Sequence, residues 1–240
     1  VSITTTQPGR SRTLVVISAG VSDPSSTRML ADRLAQKTLD LLRERGVTAQ
    51  VATIELRTLV TEIGQATVGG LTGPRLQDAL GKLAGADAVI AATPVYKAGV
   101  SGLFKSFLDI LDNDLLIAKP VALAATAGSA RHALVPDDHM RPLFAYMRAL
   151  TTPTSLFAAP EDWAARALGE RIERAATELA ALVESGVGQS ITAGAWGQYQ
   201  HTFGSSARPV GAPEAVGGID LDSDLMRLAA GGGPAQQGSR

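Results

Sequence analysis

Three consecutive hydroxyl residues, Ser25, Ser26 and Thr27, stand where a strand-like pattern gives way to a helical one. They close the segment Ser18-Ala19-Gly20-Val21-Ser22-Asp23-Pro24-Ser25-Ser26-Thr27. A helix N-terminus carries unpaired backbone N–H groups and a partial positive charge, which makes it an anion site. Hydroxyls on the same turn add donors, so the segment fits a phosphate monoester bound without a lysine. Simple N-capping accounts for the same residue types. Two other phosphate devices are excluded: there is no Gly-x-x-x-x-Gly-Lys, and Gly20 is the lone glycine where a dinucleotide fingerprint needs three.

Two further stretches carry polar and backbone chemistry, Thr93-Pro94-Val95-Tyr96-Lys97 and Thr126-Ala127-Gly128-Ser129. Side chains for acid–base or nucleophilic work are scarce. There are three histidines (His132, His139, His201) and no cysteine. Gly-x-Ser-x-Gly is absent, and no histidine spacing suits a metal. A hydrolase would need a nucleophile–base pair that the chain does not offer.

The elements that must position these residues follow from periodicity. Thr13–Ser18, Val47–Leu56, Asp87–Thr93, Pro120–Thr126 and Pro153–Ala158 read as strands, three of them as continuous apolar runs buried on both faces. Helices are expected over Ser25–Arg45, ended by Gly46, and over Pro74–Leu83, Ser101–Leu111, Asp137–Leu150 and Trp163–Val183. Alternating strands and helices predict an α/β fold with a five-stranded parallel sheet and helices on both faces. The count suits the doubly wound, flavodoxin-like order 2-1-3-4-5, in which ligands sit beyond the carboxyl ends of the strands. The loops at that edge are Ala19–Ser26, Pro94–Ser101 and Ala127–Asp137.

Composition sets the outer limits. The 240 residues are 45% hydrophobic, with a formal net charge of −1. That balance argues against a sequence-independent nucleic-acid binder. No run approaches a membrane span, and the polar Val1–Arg12 lacks a signal-peptide pattern. A soluble, cytoplasmic protein is expected. Residues 1–12 read as a flexible N-terminus and 13–188 as the folded domain. Residues 189–240 hold ten of the 25 glycines and read as a largely irregular tail, with a short helix at Asp222–Leu228. Trp196, Tyr199, His201 and Phe203 are unusual residues for a plain linker.

The segment Thr93-Pro94-Val95-Tyr96-Lys97-Ala98-Gly99-Val100-Ser101-Gly102-Leu103-Phe104-Lys105 resembles the flavin-binding segment of NAD(P)H-dependent FMN reductases with the flavodoxin-like fold. It is most similar to the reductase component of two-component alkanesulfonate and luciferase-like monooxygenase systems, with the pattern Thr-Pro-Val-Tyr-Lys-x-x-x-Ser-Gly-x-Leu-Lys. Phe104 replaces the leucine of the Leu-Lys pair. Lys119–His132 resembles a second family segment, Lys-strand-Ala-Thr-Gly-Gly followed by His, with Ala127 in place of the first glycine. Asp137-Asp138-His139-Met140-Arg141-Pro142 resembles the family's Asp-His-Ala-Leu-Arg-Pro helix. Some members insert a tyrosine there, forming a π-bulge at a tetramer interface; this chain has His139 at the nearest position and no tyrosine. Together the likeness spans about Thr13 to Val183.

The resemblance implies FMN and NADPH or NADH as cofactors. It implies binding through Ser18, Ser25, Ser26 and Thr27 at the phosphate, Pro94, Val95, Tyr96 and Lys97 beside the ring, and Thr126, Ala127, Gly128 and Ser129 at the pyrimidine end. Hydride transfer between two cofactors needs stacking and distance control, so no catalytic side chain is expected. It implies a partner flavin-dependent monooxygenase and a homodimer or homotetramer. The alternatives are an FMN-containing reductase of quinones, azo dyes or metal ions, and a flavodoxin-like electron carrier. Carriers of that kind are usually strongly acidic, which this chain is not.

Overall fold

A computed structural model of the chain describes residues 11–196. Its strands are β1 (Arg12–Ser18), β2 (Ala49–Glu55), β3 (Ala88–Tyr96), β4 (Gly99–Val100), β5 (Pro120–Thr126), β6 (Leu150–Thr151) and β7 (Leu156–Ala158). The α-helices are α1 (Ser26–Glu44), α2 (Val60–Gly69), α3 (Pro74–Ala84), α4 (Gly102–Asp109), α5 (Arg141–Tyr146), α6 (Arg166–Ser185) and α7 (Val187–Ile191). The sheet runs β2-β1-β3-β5, with β6 and β7 both on the outer side of β5. All these pairs are parallel, and β4 alone is antiparallel, against the end of β3. This is the flavodoxin-like order, with β6 and β7 together as the fifth strand.

Successive residues along the central strands serve opposite faces. Val15, Ile17, Val89, Ala91, Val121 and Leu123 face a core shared with α2–α5, which holds Phe104, Phe107 and Phe144. Leu14, Val16, Ala88, Ile90, Ala122 and Ala124 face α1 and α6, through Leu30, Leu34, Ala176 and Leu179. Alanines on that face let the two long helices lie close to the sheet. The apolar sides of α4 and α5 are therefore spent on the sheet. The large apolar side chains left exposed nearby are Leu134 and Tyr146.

Several boundaries differ from the periodic reading. The expected strand Pro153–Ala158 shortens to β7, and β6 forms ahead of it at the end of the expected helix; between them Pro153 cannot donate to a ladder and the Thr154 N–H turns aside to Glu178 at 2.7 Å. Helix α2 has no counterpart in the sequence reading. Only Ile63 and Ala66 of it are buried, and Val60, Thr61, Thr67 and Val68 are weak helix formers, so its period is faint. The expected helix Asp137–Leu150 begins as a π-turn, Pro136–Met140, even without an inserted tyrosine. The Arg141 N–H reaches back five residues to the Pro136 carbonyl, and Pro142 has no N–H to restore the α register. Residues 187–196 are helical (α7, then a π-turn at Thr192–Trp196) rather than irregular from 189. Residues 1–10 of the N-terminus, the rest of the tail from 197, the expected helix at Asp222–Leu228, and Tyr199, His201 and Phe203 lie outside the described residues.

Candidate active site

The carboxyl ends of β1, β3 and β5 lie side by side. Ser18 is in register with Ala92 of β3 and with Glu55 of β2, and Pro94 of β3 is in register with Thr126 of β5. This brings the three predicted groups, Ser18 to Thr27, Pro94 to Lys97 and Thr126 to Ser129, to one edge. Helix α1 starts there because Ser25 caps it, its Oγ accepting the Arg28 N–H at 3.2 Å. The amides of Ser26 and Thr27 precede the first intrahelical bond, from the Met29 N–H to the Ser25 carbonyl at 2.9 Å.

Close packing shapes the first loop. A Cβ on Gly20 would lie 1.9 Å from Ser25 Oγ, so only glycine lets the chain pass behind the capping serine. Of the three hydroxyls, Ser26 is exposed, Ser25 is half-buried and caps, and Thr27 is buried. Thr27 Oγ1 meets Thr126 Oγ1 at 2.7 Å, a buried bond between residues 99 apart in sequence. Thr27 thus fastens the first loop to the third, while Ser26 and the helix amides face the mouth.

The second group is not a loop. Strand β3 continues through Pro94 and Val95 to Tyr96 and turns back into β4, with Tyr96 opposite Gly99. Pro94 is tolerated because the pairing changes there, from β5 before it to β4 after it. Lys97 and Ala98 make the turn with φ of 51° and 64°. Two-residue hairpin turns favour that left-handed region and normally use Asn or Gly. Tyr96, 50% exposed, and Lys97 stand at the tip, whereas Pro94 and Val95 are buried.

Two residues outside the predicted set fix this hairpin. Buried Thr93 donates to the Pro94 carbonyl at 2.9 Å and accepts the Ser101 N–H at 3.1 Å. Ser101 Oγ then accepts the Phe104 N–H at 3.2 Å and starts α4. Thr93 and Ser101 lie within the Thr-Pro…Ser-Gly motif, but nothing in their spacing shows that they bond each other. His139, on the π-turn, lies over the hairpin, since a Cβ on Gly99 would stand 3.8 Å from its Nδ1.

The third group holds its shape through the Ala127 N–H, which donates to the Ala158 carbonyl at 3.2 Å. Gly128 is exposed and Ser129 half-buried. Asp137 is engaged by Arg141 at 2.7 Å and by the Ser155 hydroxyl at 2.9 Å, so it braces α5 against the sheet.

Cations near the first loop are already held. Arg28 bonds Asp32 at 2.7 Å and Glu55 at 2.5 Å. Arg57 bonds Glu55 at 2.9 Å and lies 3.5 Å from Asp23. The hydrogen bond that Arg57 donates to Glu55, and then the Glu55 charge, raise the Arg57 pKa further above its ordinary value. No cluster of metal-ligating residues occurs among the described residues, and none of their helices is long and apolar enough to cross a membrane. A cleft of about 620 Å³ lies at the opposite edge beside Arg12, Asp87, Lys119 and Gly188. Size does not select the site, because strand carboxyl ends and helix N-termini supply the donors at the other edge.

The donors present suit a flat ligand with a phosphate tail. Amides and hydroxyls gather at the start of α1, backbone lies at two neighbouring strand ends, and an aromatic ring borders the opening. The model of the NADPH-dependent FMN reductase family matches residues 12–164. The chain belongs to that family. As a flavin reductase it is an NAD(P)H:FMN oxidoreductase, with FMN and NADPH or NADH as its cofactors.

Relatives of this flavin reductase carry both nucleotide names. FMN reductase (NADPH) of Pseudomonas aeruginosa is 35% identical over 150 residues, 62% of this chain and 78% of its own length. NADH-dependent FMN reductase SfnE of Pseudomonas putida is 34% identical over 168 residues, 68% of this chain and 88% of its own. Among solved structures, an oxidoreductase from Corynebacterium diphtheriae is 45% identical with a TM-score of 0.72, covering 74% of this chain and 99% of its own.

Proposed function

We propose that this reductase takes FMN as an exchangeable substrate, reduces it with NADH or NADPH, and releases FMNH2 to a partner flavin-dependent monooxygenase. We further read it as a cytoplasmic homodimer or homotetramer, with residues 13–188 as the flavin-binding domain and the tail from 189 as an appendage. The observation that carries the reading is the Thr27–Thr126 bond, which joins the phosphate-type loop to the loop after β5. That bond leaves a shelf of backbone between the start of α1 and the β3–β4 hairpin.

In this reading each part of the shelf has a task. The Ser26 and Thr27 amides and the Ser26 hydroxyl receive the phosphate. The hairpin, held by Thr93 and Ser101, sets the ring's height, with Tyr96 and Lys97 at its border. Ala127, Gly128 and Ser129 offer amides to the ring's polar end. When bound, FMN supplies the hydride acceptor, and the chain supplies position. A first loop whose neighbouring arginines, Arg28 and Arg57, are already paired fits a nucleotide that must leave after each turnover. The relative SfnE, an NADH-dependent FMN reductase, accords with the activity.

The test is oxidation of NADH and of NADPH by the purified chain, followed at the reduced-nicotinamide absorbance band with free FMN. Turnover that rises with added FMN is expected. No turnover with either nucleotide removes the reading. FMN retained at full occupancy, with a quinone reduced faster than free FMN, replaces it by the prosthetic-flavin alternative.

A further inference from the structure

Beside the phosphate-type loop stands a closed charge network. Glu55 ends β2 and is in register with Ser18, the last residue before the loop. Its two oxygens hold two different arginines, Arg28 at 2.5 Å and Arg57 at 2.9 Å. Asp32 takes the other side of Arg28, and Asp23, on the loop itself, takes Arg57. Three carboxylates thus face two guanidiniums, leaving the cluster with a net charge of one negative.

Arg28 lies in the first turn of α1, and its own N–H is the one capped by Ser25. Helix side chains lean toward the N-terminus of their helix, so an unpaired Arg28 would lean toward the loop. A guanidinium there would bind a phosphate through paired, charge-assisted hydrogen bonds. The network directs it sideways to β2 instead.

We propose that Glu55 sets how tightly FMN is held, by withholding Arg28 and Arg57 from its phosphate. Glu55 is a positioning residue and touches no ligand. It keeps the phosphate site to amides and hydroxyls, and the excess negative charge speeds departure of the dianionic phosphate. The ligand class that feels this control is flavin monophosphate, and flavin without phosphate does not. The inference rests on FMN binding at this edge, as proposed above.

The experiment compares FMN with riboflavin by flavin-fluorescence titration of the full chain, without nicotinamide. Glu55→Gln is expected to tighten FMN at least about fivefold and to slow its release, with riboflavin affinity unchanged. Adding Arg28→Ala to Glu55→Gln should return FMN affinity most of the way. Asp23→Asn, at an exposed loop position, should move FMN the same way by a smaller factor and serves if Glu55→Gln fails to fold. Unchanged or weaker FMN binding in both carboxylate variants overturns the proposal, as does an equal shift for riboflavin. If the unaltered chain binds no FMN, the underlying reading falls as well. If it binds FMN and the variants do not differ from it, only the role of Glu55 falls.

Discussion

The two edges of the sheet are built in opposite ways. At the amino edge, side chains tie the strands shut. Asp87, almost wholly buried, accepts the Thr13 N–H at 2.8 Å, pairs with Arg12 at 3.2 Å and accepts from Gln189 of α7 at 2.9 Å. Lys119 Nζ donates to the carbonyls of Ala84 and Ala86, both at 2.8 Å. At the carboxyl edge, hydroxyls and backbone fasten the ends of β1, β3 and β5, with the Glu55 ion pairs set aside at the end of β2. A cleft of about 620 Å³ sits at the tied edge and the ligand chemistry at the other. Parallel strands and their helices direct N–H donors toward one edge only, so polarity and not volume marks the site.

That division gives an ordered set of expected outcomes. Asp87→Ala should cost the most stability, about 3 kcal/mol, because it strands Arg12 and an interior N–H. Urea unfolding measures it, and the FMN KM of the folded protein should not move. A raised KM with unchanged stability would break the division between the edges.

Gly188→Ala probes the same edge through sterics. A Cβ there would lie 2.4 Å from the Ala118 carbonyl oxygen, so α7 must shift. The expected loss is about 1–3 kcal/mol in the same unfolding assay, again without effect on FMN.

Gly20→Ala is the matching change at the carboxyl edge. Its Cβ would displace the Ser25 cap, so the FMN KM should rise on the order of tenfold beside a stability loss of about 1 kcal/mol from the lost cap. A purely structural effect, in which stability falls and KM holds, would contradict the assignment of this loop to ligand. The smallest effect is expected from Ala98→Gly. Relief of a left-handed alanine should slightly outweigh the added freedom of the unfolded chain, a gain of about 0.5 kcal/mol. Loss of stability in that variant would show that the turn is not strained.

Legibility in the sequence followed the strength of local signals. The run Pro120–Thr126 is a strand at the expected bounds, and Pro74 begins α3 as expected. Gly46 follows the end of α1 with φ of 75°, the conformation that favours glycine there. Helix α2 escaped because it buries little and is rich in β-branched residues. The β3–β4 hairpin escaped because its turn is Lys97-Ala98, where the usual Asn-Gly signal is missing. The π-turn escaped because its cause, Pro142, acts through an absent hydrogen bond rather than through spacing.

Local sequence signals establish the parallel α/β sheet, the family, and which three segments meet at the carboxyl edge. Apolar period and glycine or proline placement are local properties, and they survive folding unchanged. How those segments are used depends on tertiary packing. It turned Thr27 from a ligand-facing hydroxyl into a fastening to Thr126. It extended a strand through Pro94, and it set Glu55 between two arginines that sequence reading leaves apart. Those outcomes depend on register between strands far apart in the chain, and register is fixed only when both faces of the sheet are packed.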